Sequence, residues 1–170
     1  GFSRGGKPVV TYHGLSGAIS QRMQVLLDGR SLYTPYSFGG VDWSSLTISL
    51  EDIERIEVLR GSNSASYGAN AFLGVANIIT KSAAQSTGLH TSLSVGSNQI
   101  RDGVVRFGGR STNWQWRILG GSRQDDGLLN LKDHYRNNFL DLRSELQLNE
   151  SDELSLLMGI NKSKSEIGFA

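Results

Sequence analysis

Residues 50–81 read LEDIERIEVLRGSNSASYGANAFLGVANIITK, and four segments of different period follow one another in that stretch. Ser49 can cap a turn over residues 50–53, which puts Glu51 and Asp52 where a helix N-terminus favours negative charge. Ile56 and Val58 then fall into period two and mark a strand that stops at Arg60-Gly61. Residues 64–67 can make a single helical turn before Gly68, and residues 74–80 form an apolar strand around Val75, Ala76, Ile78 and Ile79. Gly61, Gly68 and Gly74 stand at strand ends and turns, where a positive φ or a close backbone approach excludes a Cβ. The amides of Asn70 and Asn77 suit backbone groups left over where a ladder stops.

Upstream, residues 9–12 and 24–27 are short β-prone runs, and Asp28-Gly29 is a turn dipeptide closing the second. Together with residues 50–81 they predict a small α+β unit ending near residue 83. Residues 82–88 are small and polar and read as a linker.

Beyond it the period changes to two throughout. Leu93 and Val95 share a face, as do Val105 and Phe107; Trp114, Trp116 and Ile118; Leu140, Leu142, Leu146 and Leu148; and Leu154, Leu156, Met158 and Ile160. The opposite faces carry Arg106, Gln115, Arg117, Asp141, Arg143, Glu145, Gln147, Ser155 and Asn161. Residues 110–113 and 149–152 read as short turns, and 122–136 as a long loop with Asp125, Asp126, Lys132, Asp133, His134 and Tyr135. Two readings of this alternation stay open. A soluble sandwich buries its apolar face and wets the other. A transmembrane barrel does the reverse, with strands of about 9–11 residues, short turns at one end and long loops at the other. Trp114 and Trp116 at a strand end suit the aromatic girdle of the second.

Composition narrows the classes. The chain has 170 residues, with 21 glycines, 2 prolines and 38% apolar residues, which fits short strands and tight turns better than helices. Its 17 basic and 16 acidic side chains give a formal charge of +1, so no global field recruits nucleic acid or an anionic membrane surface. No apolar run reaches the roughly 18 residues of a transmembrane helix, which leaves membrane strands open. Without cysteine there is neither a disulfide framework nor a thiolate metal site. The ends, Gly1-Phe2-Ser3-Arg4 and Ile167-Gly168-Phe169-Ala170, read as those of an internal fragment.

Four words in order carry a family resemblance: Val25-Leu26-Leu27-Asp28-Gly29-Arg30, then residues 50–61, then Tyr67-Gly68-Ala69-Asn70-Ala71, then Asn77-Ile78-Ile79-Thr80. They resemble the later part of the plug domain of TonB-dependent outer-membrane receptors. The resemblance implies residues 1–83 as the C-terminal part of the plug. Residues 84–170 are then the first five or so strands of a transmembrane barrel of about 22. Family members commonly have Arg-Gly where His13-Gly14 stands, and proline where Ser62 follows Arg60-Gly61. The first departure removes one plug arginine that faces barrel carboxylates; Arg60 keeps the other, and Glu57 and Arg55 are expected beside it as plug–barrel contacts.

The ligand expectation falls on residues 31–43, a loop mixing the rings of Tyr33, Tyr36, Phe38 and Trp43 with the hydroxyl of Thr34 and free carbonyls, which can orient a bulky ligand. In the family this plug loop faces outward, so the resemblance implies these residues as contacts; packing of the rings between plug and barrel is the plain alternative. By the same resemblance Arg4 and Lys7 align with another outward loop that can meet an anionic chelate; a solvated basic loop is the plain and favoured alternative. His13, His90 and His134 lie at no metal-ligand spacing, and no protein-bound metal or cofactor is expected. Asp125 and Asp126 read as a hydrated pair. Enzyme signals are poor: Gly14-Leu15-Ser16-Gly17-Ala18 misses the nucleophile elbow at its last position, and no glycine-rich loop carries a phosphate-binding lysine.

The resemblance implies import of a scarce large solute, foremost a ferric siderophore or other metal chelate, across the outer membrane of a Gram-negative bacterium. The implied partners are the lipid bilayer and a TonB-type energy-coupling protein, not nucleic acid. A soluble or surface β-rich binding module is the alternative from another class, and a passive porin a lesser one, since it needs no plug.

Overall fold

The computed structural model describes residues 2–4, 7–9, 22–33, 40–68, 70–127 and 133–166, which form two compact units. The first comprises Gly1–Ser44 and Ile53–Thr80, the second Ser45–Asp52 and Lys81–Ala170. His13 and most of residues 9–12, together with Thr34, Tyr36, Phe38 and Lys132, lie outside the described residues.

In the first unit β1 (Phe2–Arg4) and β2 (Lys7–Val9) pair as an antiparallel hairpin. A separate four-stranded sheet contains β3 (Met23–Leu27), β4 (Arg30–Ser31), β5 (Ile53–Arg60) and β6 (Gly74–Thr80), in the order β4-β3-β6-β5. β3 runs parallel to β6, and the other pairs are antiparallel, so the sheet is mixed. Every residue of β3 is buried, which is what a central strand covered on both faces requires. Leu26, Ala71 and Val75 are the middle of this core. The edge strand β5 is different: every residue after Ile53 is exposed, Ile56 and Val58 included. The single helical turn read over 64–67 is α1 (Ser64–Tyr67).

The turn dipeptide explains two of the sequence words at once. Asp28 (φ 48°) and Gly29 (φ 78°) both take left-handed backbone, which glycine adopts freely and aspartate tolerates. This reverses the chain and aims the Asp28 carboxylate at the end of β6, where it accepts from the Thr80 amide and the Thr80 hydroxyl, each at 2.8 Å. Asn77 Oδ1 accepts from the Gly29 amide at 3.3 Å, the backbone role expected of it. Asp28→Ala removes both acceptors from a Thr80 that is 3% exposed. The opening free energy at the Thr80 amide is therefore expected to fall by about 1–3 kcal/mol in hydrogen exchange, with Asp28→Asn losing less.

The second unit is a five-stranded antiparallel meander: β7 (Gly88–Val95), β8 (Arg101–Arg110), β9 (Trp114–Asp125), β10 (Tyr135–Gln147) and β11 (Glu153–Ser165), each paired with the next. Two expectations change here. The long loop shrinks to residues 126–134, because β9 reaches Asp125 and β10 starts at Tyr135; a ladder continues wherever a partner backbone lies alongside, whatever the polarity of the side chains. The 82–88 linker is packed structure: a 3₁₀ turn, Ala84–Ser86, with Ala83 and Ser86 wholly buried. A Cβ on Gly108 of β8 would stand 2.3 Å from the Ser86 carbonyl oxygen, so that close approach requires glycine.

The faces of this sheet are inverted relative to a soluble domain. Val105, Phe107, Trp114, Ile118, Leu140, Leu154, Leu156, Met158 and Ile160 are all exposed. On the other face Arg117 is 2%, Asn137 0% and Glu145 9% exposed, beside a small apolar cluster of Val104, Leu119 and Phe139 that a purely wet face would not contain.

Candidate functional site

The inner face of the second unit holds the segment Ser45–Asp52, and the strands supply its anchors one by one. Alternation on an antiparallel sheet puts Arg106, Arg117, Arg123 and Asn137 on the same side, from three adjacent strands. Asn137 Nδ2 donates to the Leu46 carbonyl at 3.3 Å, and the Arg123 guanidinium donates to the Ile48 carbonyl while lying 4.8 Å from the centre of the Phe139 ring. Arg106 pairs with Asp52, which is 1% exposed. On β11, a Cβ on Gly159 would meet Thr47 Oγ1 at 2.8 Å, so glycine there lets the segment lie close.

The end of the segment is fixed by its own chemistry. The expected cap takes another form: the Asp52 amide donates to the Ser49 carbonyl at 3.1 Å, closing the 3₁₀ turn Leu50–Asp52, while the Ser49 hydroxyl donates to the Glu51 carboxylate. Ile53 already belongs to β5. Ser92 Oγ also reaches Glu51, at 3.2 Å, and Lys81 binds the turn twice, its amide to the Asp52 carbonyl at 2.8 Å and its ammonium to the Glu51 carbonyl at 2.7 Å. The Ser49 hydrogen bond, before the backbone one, holds the Glu51 carboxyl below the usual carboxylate range. A depressed folded-state pKa adds stability that is present above the unfolded value and is lost as pH falls through the folded one. Amide exchange across residues 49–52 should therefore accelerate on acidification below the ordinary glutamate range, and Glu51→Gln should flatten that dependence.

A second set of charges continues along the same face. Arg117 donates to the Lys81 carbonyl at 3.0 Å and pairs with Asp141 at 3.4 Å. Arg143 pairs with Glu145, whose other oxygen accepts from the Ala83 amide at 3.3 Å. Asp52 Oδ2, Arg106 Nε and Arg117 Nε are buried without a partner among the described residues. Arg106, Arg117 and Arg143 are thus each matched by a carboxylate, while Arg123 rests on a carbonyl and a ring, and unused polar capacity remains in the middle. This is an ion-paired face and, among the described residues, presents no arrangement of nucleophile and base.

The residues singled out for ligand contact distribute differently. Tyr33 forms an isolated bridge with Val41, which brings together the two ends of the aromatic loop. Its hydroxyl donates to the Met23 carbonyl at 2.6 Å and burial raises its pKa, so the hydroxyl is engaged with the sheet. Trp43 starts the 3₁₀ turn Trp43–Ser45 and is half-buried, with Asp42 Oδ1 accepting from the Ser44 amide at 3.1 Å beside it. Arg4 ends β1. Arg55 lies on exposed β5 and pairs with Glu57 at 2.9 Å and Glu54 at 3.1 Å, while Arg60 closes that strand. Sequence reasoning missed Arg123 and Asn137 as anchors and took Asp52 for a helix-terminus charge. The signal that could have found them is polar residues of one parity on adjacent strands.

A mixed sheet with short turns, followed in the chain by an antiparallel sheet with one apolar exposed face and one ion-paired face, is the order of elements that plugged β-barrel proteins have. Residues 1–75 match the model of the TonB-dependent Receptor Plug Domain. The vitamin B12 transporter BtuB of Vibrio cholerae (strain ATCC 39541) is 30% identical over 112 residues, covering 65% of this chain and 18% of the transporter. Among solved structures, the pyoverdine outer membrane receptor FpvA from Pseudomonas aeruginosa PAO1 matches 82% of this chain and 20% of its own, at TM-score 0.67 and 18% identity. The copper transporter OprC matches 86% of this chain and 23% of its own, at TM-score 0.68 and 18% identity. These structural likenesses speak for the fold. Residues 1–75 are thus similar to the TonB-dependent receptor plug, and the chain spans less than a fifth of the length of the curated relatives it matches.

Proposed function

We propose that this chain is part of an outer-membrane receptor that binds a scarce, large solute and imports it into the periplasm using inner-membrane energy coupling. The single observation that carries the membrane reading is the inverted sheet, whose apolar side chains are exposed while Arg117, Asn137 and Glu145 are buried. A soluble β-rich module would place them the other way round. On this reading β7–β11 open a plugged barrel of about 22 strands in the outer membrane of a Gram-negative bacterium. A TonB-type protein supplies the energy, and the role is transport rather than catalysis.

The ligand class we favour is a ferric siderophore or other metal chelate, with cobalamin next, following the copper, pyoverdine and vitamin B12 proteins this chain resembles. Tyr36, Phe38, Thr34, Trp43 and Arg4 are the proposed contacts, with Tyr33 offering its ring face while its hydroxyl serves the sheet. Arg60, Glu57 and Arg55 are the proposed plug–barrel contacts; exposed ion pairs are screened by solvent and so weak enough to be exchanged during transport.

The test is made on the full-length receptor in its host. Fractionation should recover it in the outer membrane, and deletion should abolish uptake of one labelled ferric chelate, as should dissipation of the inner-membrane gradient. Recovery in the soluble fraction, or uptake indifferent to the gradient, would overturn the proposal.

A further inference from the structure

The outer face of the second unit carries a basic row at one end. Strand register aligns Arg101 with Gln124, Gln124 with Arg136, and Arg136 with Lys164, with Val95 completing the row on β7. By alternation these side chains share the side of Val105, Ile118, Leu140 and Ile160, the apolar band. Lys162 follows one step nearer the band, in register with Asn138. The guanidiniums are steadied by neutral amides: Arg101 donates to Gln99 Oε1 and Arg136 to Gln124 Oε1, both at 2.7 Å. Acidic groups nearby are few. Glu166 lies 3.7 Å from Lys164, and Asp126 pairs with His134 at 3.2 Å. Between them opens a cleft of about 300 Å³ lined by Gln124, Tyr135, Arg136, Lys164 and Glu166 with the His134–Asp126 pair.

The spacing along the strand suggests what meets this row. Gln124 and Trp114 lie on the same face of β9, about ten residues apart; at about 3.3 Å per residue and a tilt of about 40° that is about 25 Å of height. About 25 Å is also the height of the apolar band of an outer-membrane barrel. Trp114, whose indole donates to Ser144 Oγ at 2.9 Å, and Trp116 therefore mark one interface, and the basic row marks the other. At that height and on that side, the anions available are the phosphates of the surrounding lipid. Arginine and lysine bind phosphate oxygens by charge-assisted hydrogen bonds.

We propose that Arg101, Arg136 and Lys164 form a binding site for the phosphate of an anionic lipid headgroup on the outside of the barrel wall, separate from any transported solute. The proposal rests on the membrane reading above. It is tested with the full-length receptor in bilayer discs of phosphatidylcholine doped with phosphatidylglycerol, by measuring the lipid retained around the protein with native mass spectrometry. Wild type should enrich the anionic lipid. The triple variant R101Q/R136Q/K164Q should lose up to about a hundredfold of that preference at low salt, since each cation near an anionic surface contributes about fivefold. The charge-preserving variant R101K/R136K should keep it. Equal enrichment in wild type and the glutamine variant overturns the site, and so does full displacement of the lipid by inorganic phosphate in solution, which would mark a free-anion site. Failure of wild type to enter even neutral bilayers overturns the membrane reading itself, and so is told apart from failure of the site.

Discussion

Arg106→Ala is expected to destabilise the seat of residues 45–52 by about 3–5 kcal/mol, because it leaves a charge buried without its partner. Asp52 is 1% exposed and Arg106 is its ion-pair partner, while Asp52 Oδ2 has no partner among the described residues even in the intact protein. Removing the guanidinium strands a carboxylate that has nowhere to find solvent. The change should appear as accelerated amide exchange in residues 46–52 of the full-length protein in detergent, with the β8–β9 ladder little affected. The double variant D52N/R106M removes both charges and should recover most of the loss, since a buried pair replaced by neutral groups of similar volume costs little. If the single and double variants exchange equally fast, the pair is not what holds the segment.

Ile160→Arg separates the two readings of the alternating strands. Ile160 is 69% exposed and pairs with Leu140, itself exposed, between the basic row and the tryptophans. In a lipid-facing barrel wall an arginine near mid-depth costs about 2–4 kcal/mol, whereas an arginine on the water-facing surface of a soluble domain stays within about 0.5 kcal/mol of neutral. Denaturant unfolding of the full-length protein refolded into bilayers measures the difference, with Ile160→Leu as the control. A neutral result for Ile160→Arg in lipid would return the chain to the class of soluble β-rich modules.

Much of the fold was legible because its signals are local. The turn at Asp28-Gly29, the single turn at 64–67 and the strands at 23–27 and 74–80 each follow from residues within a few positions of one another. The sharing of one face was legible for the same reason, since Leu154, Leu156, Met158 and Ile160 repeat every second residue on one strand. Misreadings arose where a group other than the expected one supplies the partner. The 82–88 stretch looks like a linker by composition, yet Glu145 accepts from the Ala83 amide and β8 packs on Ser86. Ser49 has the side chain of a cap, yet its hydroxyl is drawn to Glu51.

The candidate site was less legible than the fold. Tyr33 stood out as an aromatic in a mixed loop, and nothing local announces that its hydroxyl serves Met23, ten residues earlier on another strand. Arg106 and Asp52 are 54 positions apart, and Asn137 and Leu46 are 91 apart. Periodicity carries no information across such separations.

What the sequence determined by itself is therefore the order of elements, the two periods and which residues share a face, because these depend on backbone geometry over short spans. Only the tertiary structure decided that residues 45–52 group with the second unit, that the greasy face is the exposed one, and which charges neutralise which. Those are questions of long-range pairing, and a buried charge takes as its partner whichever opposite charge the folded chain brings within reach.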